Sequence, residues 1–212
     1  MCIFVPMSTI CYIPMLEGQS GEVGKWAAEA SERFGVSVVL LPQADWNIDL
    51  TPWPAGPIFK KGKSFRGGAK SYLQRLETSI LPDIEAKMGL EDPERWLIGV
   101  SLSGLFAVWA AAESNLFTRI AAISGSFWYD GFTEWLEGRP DMGDLKSAYL
   151  SLGNTEADTK NSHLKSIAVQ TETVVKILRE KGVPTVFEWN DGSHFAPVVP
   201  RLEKALKALG CQ

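Results

Sequence analysis

Residues 98–105 contain two serines at the junction between an apolar run and a helical pattern. A strand that turns abruptly into a helix strains its middle residue, and the turn requires small residues two positions before and after it. Ser101 has Gly99 and Ser103 at those positions. Ser103, by contrast, would be followed two residues later by bulky Leu105. Ser101 is therefore the better candidate for an exposed nucleophile.

Ser103 departs from the G-x-S-x-G pattern, because it replaces the second glycine. Its side chain would either crowd the packing of the strand against the helix or place a hydroxyl in the substrate pocket. A turn of small residues between a strand and a helix also occurs in α/β proteins that have no nucleophile. The assignment of Ser101 therefore depends on the rest of the sequence.

A serine hydroxyl is a weak nucleophile and needs a neighbouring base, most often histidine. The chain has two histidines, His163 and His194. His194 follows a predicted strand at residues 185–189 and lies at the carboxyl end of that strand, as Ser101 does. His163 begins a long helical pattern, where a solvated or capping histidine is expected. His194 is therefore the favoured base.

A third residue should orient the imidazole, and in chain order it falls between the serine and the histidine. Glu156 follows the predicted strand 147–152 and satisfies that order. Asp158 lies two residues further on and competes with it. An acidic loop that only caps the next helix is the alternative for both side chains. Glu156 is preferred, with Asp158 left open.

An oxyanion would need backbone donors. The N–H of Leu102, directly after the candidate nucleophile, is one. A second donor is expected from the loop after the predicted strand 10–13, at Met15 or Leu16.

Periodicity predicts an alternation of strands and helices along the whole chain. Strands are predicted at residues 2–5, 10–13, 36–41, 96–100, 119–123, 147–152 and 185–189. Helices are predicted at residues 22–34, 69–88 with a kink at Pro82, 103–113, 164–181 and 201–209. Residues 42–66 carry four prolines and two tryptophans and are predicted to form a long structured loop. The pattern indicates an α/β fold of three layers, a mostly parallel sheet with helices on both faces, in a single domain spanning residues 1–212.

Composition limits the classes of partner. The 212 residues carry a net charge of −4 without long runs of either sign, which gives no basis for binding nucleic acid or an anionic membrane. Three scattered cysteines and two histidines predict neither a disulfide framework nor a metal site. The spacing of Gly18, Gly21 and Gly24 differs from the dinucleotide fingerprint, so no cofactor is expected. The apolar residues 1–16 lack a positively charged start and are interpreted as part of a cytoplasmic protein.

Together these motifs resemble the α/β-hydrolase fold and, within it, the putative esterase family that includes esterase D and the ferric enterobactin esterases. The resemblance runs from about residue 12 to residue 209. It is carried by G-V-S-L-S-G-L-F-A at residues 99–107, S-L-G-N-T-E at 151–156, D-G-S-H-F at 191–195 and S-G-S-F-W at 124–128. It implies Ser101 as nucleophile, His194 as base and Glu156 as acid.

The activity that this resemblance implies is hydrolysis of a small-molecule carboxylic ester through an acyl-enzyme, without a cofactor. Two alternatives remain at this point. Ser103 at the glycine position would suit a binding protein that has lost hydrolysis, and an acyltransferase would use the same acyl-enzyme.

Aromatic residues near the predicted strand ends are candidates for the walls of a substrate pocket. Asp45, Trp46 and Trp53 lie in the long loop, and Phe127 and Trp128 follow the strand 119–123. Aromatic walls favour apolar or aromatic acyl groups. Packing of the loop against the domain is the alternative role for these side chains.

Overall fold

The computed structural model describes residues 8–15, 20–42 and 44–211. The predicted strand at residues 2–5 lies outside that range. The strands are β1 (Thr9–Pro14), β2 (Ser37–Leu41), β3 (Pro54–Ala55), β4 (Phe65–Arg66), β5 (Glu94–Val100), β6 (Arg119–Ile123), β7 (Ser147–Gly153) and β8 (Thr185–Asn190). Six of them form one parallel sheet in the order β2-β1-β5-β6-β7-β8. The candidate site residues Ser101, Glu156 and His194 follow β5, β7 and β8, and these strands lie close together in the sheet.

Helices cover both faces of this sheet. They are α1 (Ser20–Phe34), α2 (Ala69–Arg75), α3 (Leu81–Met88), α4 (Leu102–Glu113), α5 (Phe132–Glu137), α6 (Ser162–Lys165), α7 (Ile167–Glu180) and α8 (Val199–Leu209). Side chains alternate between faces along each strand, so Ile10 and Tyr12 join one apolar cluster while Cys11 and Ile13 join the other. The first cluster packs under α2, α4 and α7, and the second under α1 and α8. The predicted three-layer α/β architecture is confirmed.

Two predicted helices are divided. Residues 69–88 form α2 and α3 joined by a π-helical segment, Leu76–Ile80. Pro82 lies in the first turn of α3, where its missing N–H is tolerated, and the widened turn precedes it. The predicted helix 164–181 is interrupted at Ser166, which separates α6 from α7. Periodicity missed both interruptions because the apolar faces continue across them.

Residues 44–68, in the long segment after β2, are ordered by their own hydrogen bonds. The buried Thr51 hydroxyl donates to the Asn47 carbonyl (2.9 Å) and accepts from the Gly67 N–H (3.1 Å). β3 and β4 pair as a short antiparallel hairpin within it. These contacts hold the segment in one position beside the sheet. Among the residues described, the structure has no helix with the length and apolarity needed to cross a membrane.

A buried ion pair lies near the amino end of β5. Arg95 donates two hydrogen bonds to the Glu85 carboxylate, at 2.6 and 2.7 Å, and the Tyr12 hydroxyl donates a third at 2.7 Å. Burial would raise the pKa of Glu85, but these hydrogen bonds outweigh it and lower the pKa below its ordinary value. The charged carboxylate therefore stabilises the folded state.

We expect Glu85→Gln to lower the free energy of unfolding at neutral pH by about 2–4 kcal/mol, because Arg95 loses its counter-charge. A carboxylate with a lowered pKa stabilises the fold above its unfolded-state pKa, and this contribution is lost as pH falls through the native pKa. The difference between the two proteins should therefore shrink in acid. Urea denaturation of both across this pH range measures it, with the exposed Glu91→Gln as control. A difference that stays constant with pH would contradict the charge-based account.

Candidate active site

The turn at Ser101 is the most constrained part of the site. β5 ends at Val100 and α4 begins at Leu102, and Ser101 between them has φ 59° and ψ −122°. A Cβ atom at Gly99 would lie 2.0 Å from the Ser103 carbonyl oxygen, so a side chain cannot be accommodated there. The backbone of Ser101 is held on both sides, since its N–H donates to Ile123 and its carbonyl accepts from Ser126.

The side chain of Ser103 is not part of the pocket. It is fully buried, and its hydroxyl donates to the Val100 carbonyl and accepts from the Val100 N–H, both at 2.8 Å. Neither sequence-based expectation for Ser103 is met: it does not crowd the strand against the helix, and it places no hydroxyl in the cavity. Instead it satisfies the last backbone groups of β5, next to the turn.

Three of the residues selected from sequence lie in one chain of hydrogen bonds. The Ser101 Oγ is 3.1 Å from the His194 Nε2, and the His194 Nδ1 is 2.9 Å from the Glu156 Oε2. The His194 side chain is 35% exposed, whereas that of Glu156 is 3% exposed. The imidazole in the middle of the chain is therefore partly exposed to solvent, whereas the acidic end is enclosed.

Glu156 is held as a carboxylate by several donors. Its Oε1 accepts from the Ser124 hydroxyl (2.6 Å) and from the Gly153 N–H (2.7 Å). Burial would raise the pKa of Glu156, but the hydrogen bonds from His194, Ser124 and Gly153 outweigh it and lower the pKa below its ordinary value. The remaining oxygen, Oε2, is directed to the imidazole.

The competing residues lie elsewhere. Asp158 is exposed, and the structure places Glu156 rather than Asp158 against His194. His163 lies in α6 with its Nδ1 3.5 Å from the Asp130 carboxylate, outside the chain of hydrogen bonds. Among the described residues, no group of three or more histidine, cysteine or acidic side chains is placed to hold a metal ion.

Two residues near the site were missed by the sequence analysis. Ser124, at φ 49° directly after β6, bridges Glu156 and Arg201. Arg201, on the first turn of α8, is 4% exposed and lies 3.4 Å from the Glu156 Oε1. Ser124 opens the S-G-S-F-W motif, in which the sequence analysis gave Ser124 no role, and no local motif marks Arg201.

The candidate oxyanion donors are only partly described. The Leu102 N–H belongs to the first turn of α4, where amide groups have no acceptor within the helix. Met15 follows β1 directly, next to β5 in the sheet, and its side chain is buried. Leu16 lies outside the described residues. The role of these groups stays a prediction.

An apolar cavity of about 590 Å³ opens beside Ser101. Trp46 and Trp128 line it, as the sequence analysis proposed. Further lining residues are Asn47, Ile58, Phe59, Gly62, Lys63, Phe65, Leu102, Ser124, Glu156, Leu164, Ile167, His194 and Phe195.

The other aromatic candidates pack the protein instead. The indole N–H of Trp53 donates to the Asp130 carbonyl (2.9 Å), and its ring packs against Tyr129. Phe127 is 1% exposed and stacks on Phe132. Asp45 is exposed and accepts hydrogen bonds from its own turn. These three side chains are therefore corrections to the predicted pocket, because packing and turn formation use them.

We expect Ser103→Ala to lower the free energy of unfolding by about 1–3 kcal/mol, because it leaves the partly buried Val100 amide without the Ser103 acceptor. Chemical denaturation measures the loss. Ser114→Ala is the matched control, since that hydroxyl also donates to a backbone carbonyl, that of Ala110, but the residue is only half-buried. Equal losses in the two variants would argue against a special role for the Val100 contact.

Known proteins resemble this chain in sequence and in fold. The uncharacterised protein YbbA of Bacillus subtilis (strain 168) is 30% identical over 137 residues, covering 63% of this chain and 55% of YbbA. The apo-salmochelin esterase of Escherichia coli O6:H1 is 29% identical over 125 residues, covering 57% of this chain and 39% of the esterase. The chain thus spans about half or less of these two relatives.

Among solved structures, an IroE-like serine hydrolase from Shewanella oneidensis superposes with a TM-score of 0.75 at 18% identity, covering 95% of this chain and 70% of that one. This likeness shows a shared fold, and the predicted α/β-hydrolase fold is confirmed. The family model described as putative esterase matches residues 17–194. With most of its length inside that match, the chain belongs to the putative esterase family.

Proposed function

We propose that this protein hydrolyses carboxylic esters of small molecules through an acyl-enzyme on Ser101. The observation that carries the proposal is the continuous hydrogen-bond chain from Ser101 through His194 to Glu156, which begins at an apolar cavity. Membership of the putative esterase family and similarity to an apo-salmochelin esterase support the same reaction.

Each member of the chain has a distinct task. The Glu156 carboxylate accepts a hydrogen bond from the His194 Nδ1–H, which keeps the proton on Nδ1 and leaves Nε2 free to accept the Ser101 hydroxyl proton. Ser101 then attacks the ester carbonyl, and the Leu102 N–H stabilises the oxyanion. The imidazolium returns its proton to the leaving alcohol. A water molecule, deprotonated by His194, releases the acid and restores Ser101.

Two cavities border Ser101. The apolar cavity lies on one side, and a second cavity of about 440 Å³ lies on the other. Ser101, Ser124, His194 and Phe195 border both. The position suits an ester whose two halves extend in different directions from the carbonyl. Because aromatic and aliphatic side chains dominate the first cavity, one half of the preferred ester is apolar.

The alternatives receive less support. A protein that binds esters without cleaving them was suggested by Ser103, whose hydroxyl is engaged with Val100 and leaves the Ser101 side chain clear. Acyl transfer would use the same acyl-enzyme, and analysis of products with an added alcohol separates it from hydrolysis.

We expect a fluorophosphonate to add once to the wild-type protein and not to Ser101→Ala, because only an activated serine attacks phosphorus at a useful rate. His194→Ala should lose labelling and hydrolysis of p-nitrophenyl esters by at least about 10³-fold. Intact mass and steady-state kinetics measure both effects.

His163→Ala is the matched control and should retain labelling and turnover. Full activity in His194→Ala, or labelling that persists in Ser101→Ala, would refute the assignment. A folded wild-type protein that neither reacts nor hydrolyses would favour the binding protein instead.

We expect Trp46→Ala and Trp128→Ala to raise KM for p-nitrophenyl octanoate by about tenfold, because each removes apolar contact from the cavity. The effect on p-nitrophenyl acetate should be smaller, since a short acyl group reaches few of the walls. Trp189→Ala is the control, because Trp189 is 44% exposed on β8 and does not line the cavity. An equal change for both esters would place the apolar half of the substrate elsewhere.

A further inference from the structure

Arg201 lies beside the candidate acid and base and contacts three segments around them, those that follow β6, β7 and β8. Its Nη1 donates to the Ser124 hydroxyl at 2.9 Å and lies 3.4 Å from the Glu156 Oε1. Its Nη2 donates to the carbonyls of Asp191 (3.3 Å) and Ser193 (3.1 Å). One planar group thereby joins the ends of β6 and β7 to the loop that carries His194.

The burial of Arg201 is unusual for its helix. The inward face of α8 is otherwise apolar, with Leu202, Ala205 and Leu206 packed into the core. A guanidinium loses hydration when it is buried, and it is retained where hydrogen bonds and an opposite charge compensate for that loss. Here the compensating groups all belong to the supports of Glu156 and His194.

The geometry leaves Glu156 one direction in which to act. Ser124, Gly153 and Arg201 surround Oε1, so the carboxylate cannot rotate without losing those contacts. Oε2 is left for His194. At the same time the Arg201 Nη2 holds the carbonyl directly before His194, which fixes the loop on which the imidazole stands. The rigid fork of the guanidinium sets the spacing between acid and base.

We propose that Arg201 is a positioning residue that aligns Glu156 with His194 for the reaction at Ser101. This role rests on the proposed esterase function. It differs from a purely structural role, because its main effect is on how the Glu156 carboxylate meets His194: once that carboxylate is neutralised, losing the alignment lowers the rate little further. The effects of the two residues on turnover should therefore not add.

A double-mutant cycle with Arg201→Met, Glu156→Gln and the combined variant tests this. The readouts are kcat and KM for p-nitrophenyl butyrate and the rate of fluorophosphonate labelling. Arg201→Met should lower kcat and the labelling rate by about 10²-fold with KM little changed, the loss typical of a misplaced catalytic group. The combined variant should be no slower than Glu156→Gln alone, within about threefold.

The matched control is Arg95→Met, which removes the partly buried arginine partner of another glutamate, near the amino end of β5. It should lose stability but keep kcat and labelling within about twofold. If Arg201→Met does not fold, Arg201→Lys replaces it in the cycle, since an ammonium keeps the charge but cannot contact both segments.

The results distinguish the positioning role of Arg201 from the proposed esterase function. Losses that multiply in the combined variant, or an Arg201→Met protein with wild-type kcat, would overturn the positioning role while leaving the esterase function intact. Absence of labelling and hydrolysis in the wild-type protein would instead overturn the proposed function itself, and the positioning role with it.

Discussion

The close approach of backbone to backbone at Gly99 is the constraint on which the site depends. The space that a side chain would need is filled by the Ser103 carbonyl, 2.0 Å from the position of a Cβ atom. This contact turns the chain sharply enough to place Ser101 at positive φ, a conformation that costs about 1–3 kcal/mol for a residue other than glycine. The strain is maintained because β5 and the first ten residues of α4 are largely buried and fixed in the core.

The two buried glutamates are both kept charged by hydrogen bonds, but they have different roles. Glu85 and Glu156 each have an arginine and a hydroxyl group as partners, Arg95 with Tyr12 in one case and Arg201 with Ser124 in the other. In both, hydrogen bonds overcome burial and lower the pKa of the carboxyl. Both oxygens of Glu85 are occupied by Arg95, so that carboxylate serves the fold alone. Glu156 keeps one oxygen for an imidazole.

The sequence predicts those parts of the site that depend on local patterns. Short stretches of sequence show the small residues around Ser101 and the acidic residue after a strand. A count over the chain shows that there are two histidines to choose from. The roles of Arg201 and Ser124 could not be found in this way, even though Ser124 opens the S-G-S-F-W motif, because their partners are brought to them by the order of strands in the sheet. Their own surroundings in the sequence look like the start of an amphipathic helix and the end of a strand.

The pocket walls were less predictable for a different physical reason. An indole ring in a loop can face a cavity or fill the core, and the hydrophobic effect favours both. Trp46 lines the cavity while Trp53, a few residues later, bonds to the Asp130 carbonyl and packs on Tyr129. The choice between them depends on the tertiary fold of the loop.

Residues 44–68 supply Trp46, Ile58, Phe59 and Phe65 to the cavity, yet they contain none of the residues that would move protons. A large part of the apolar lining is therefore separate in sequence from the candidate catalytic residues. Insertions or exchanges in this one segment could redirect a protein of this family to a new substrate while the reacting groups, fixed to the sheet, stay unchanged. Grafting the segment between relatives is thus a direct route to hydrolases with altered preference.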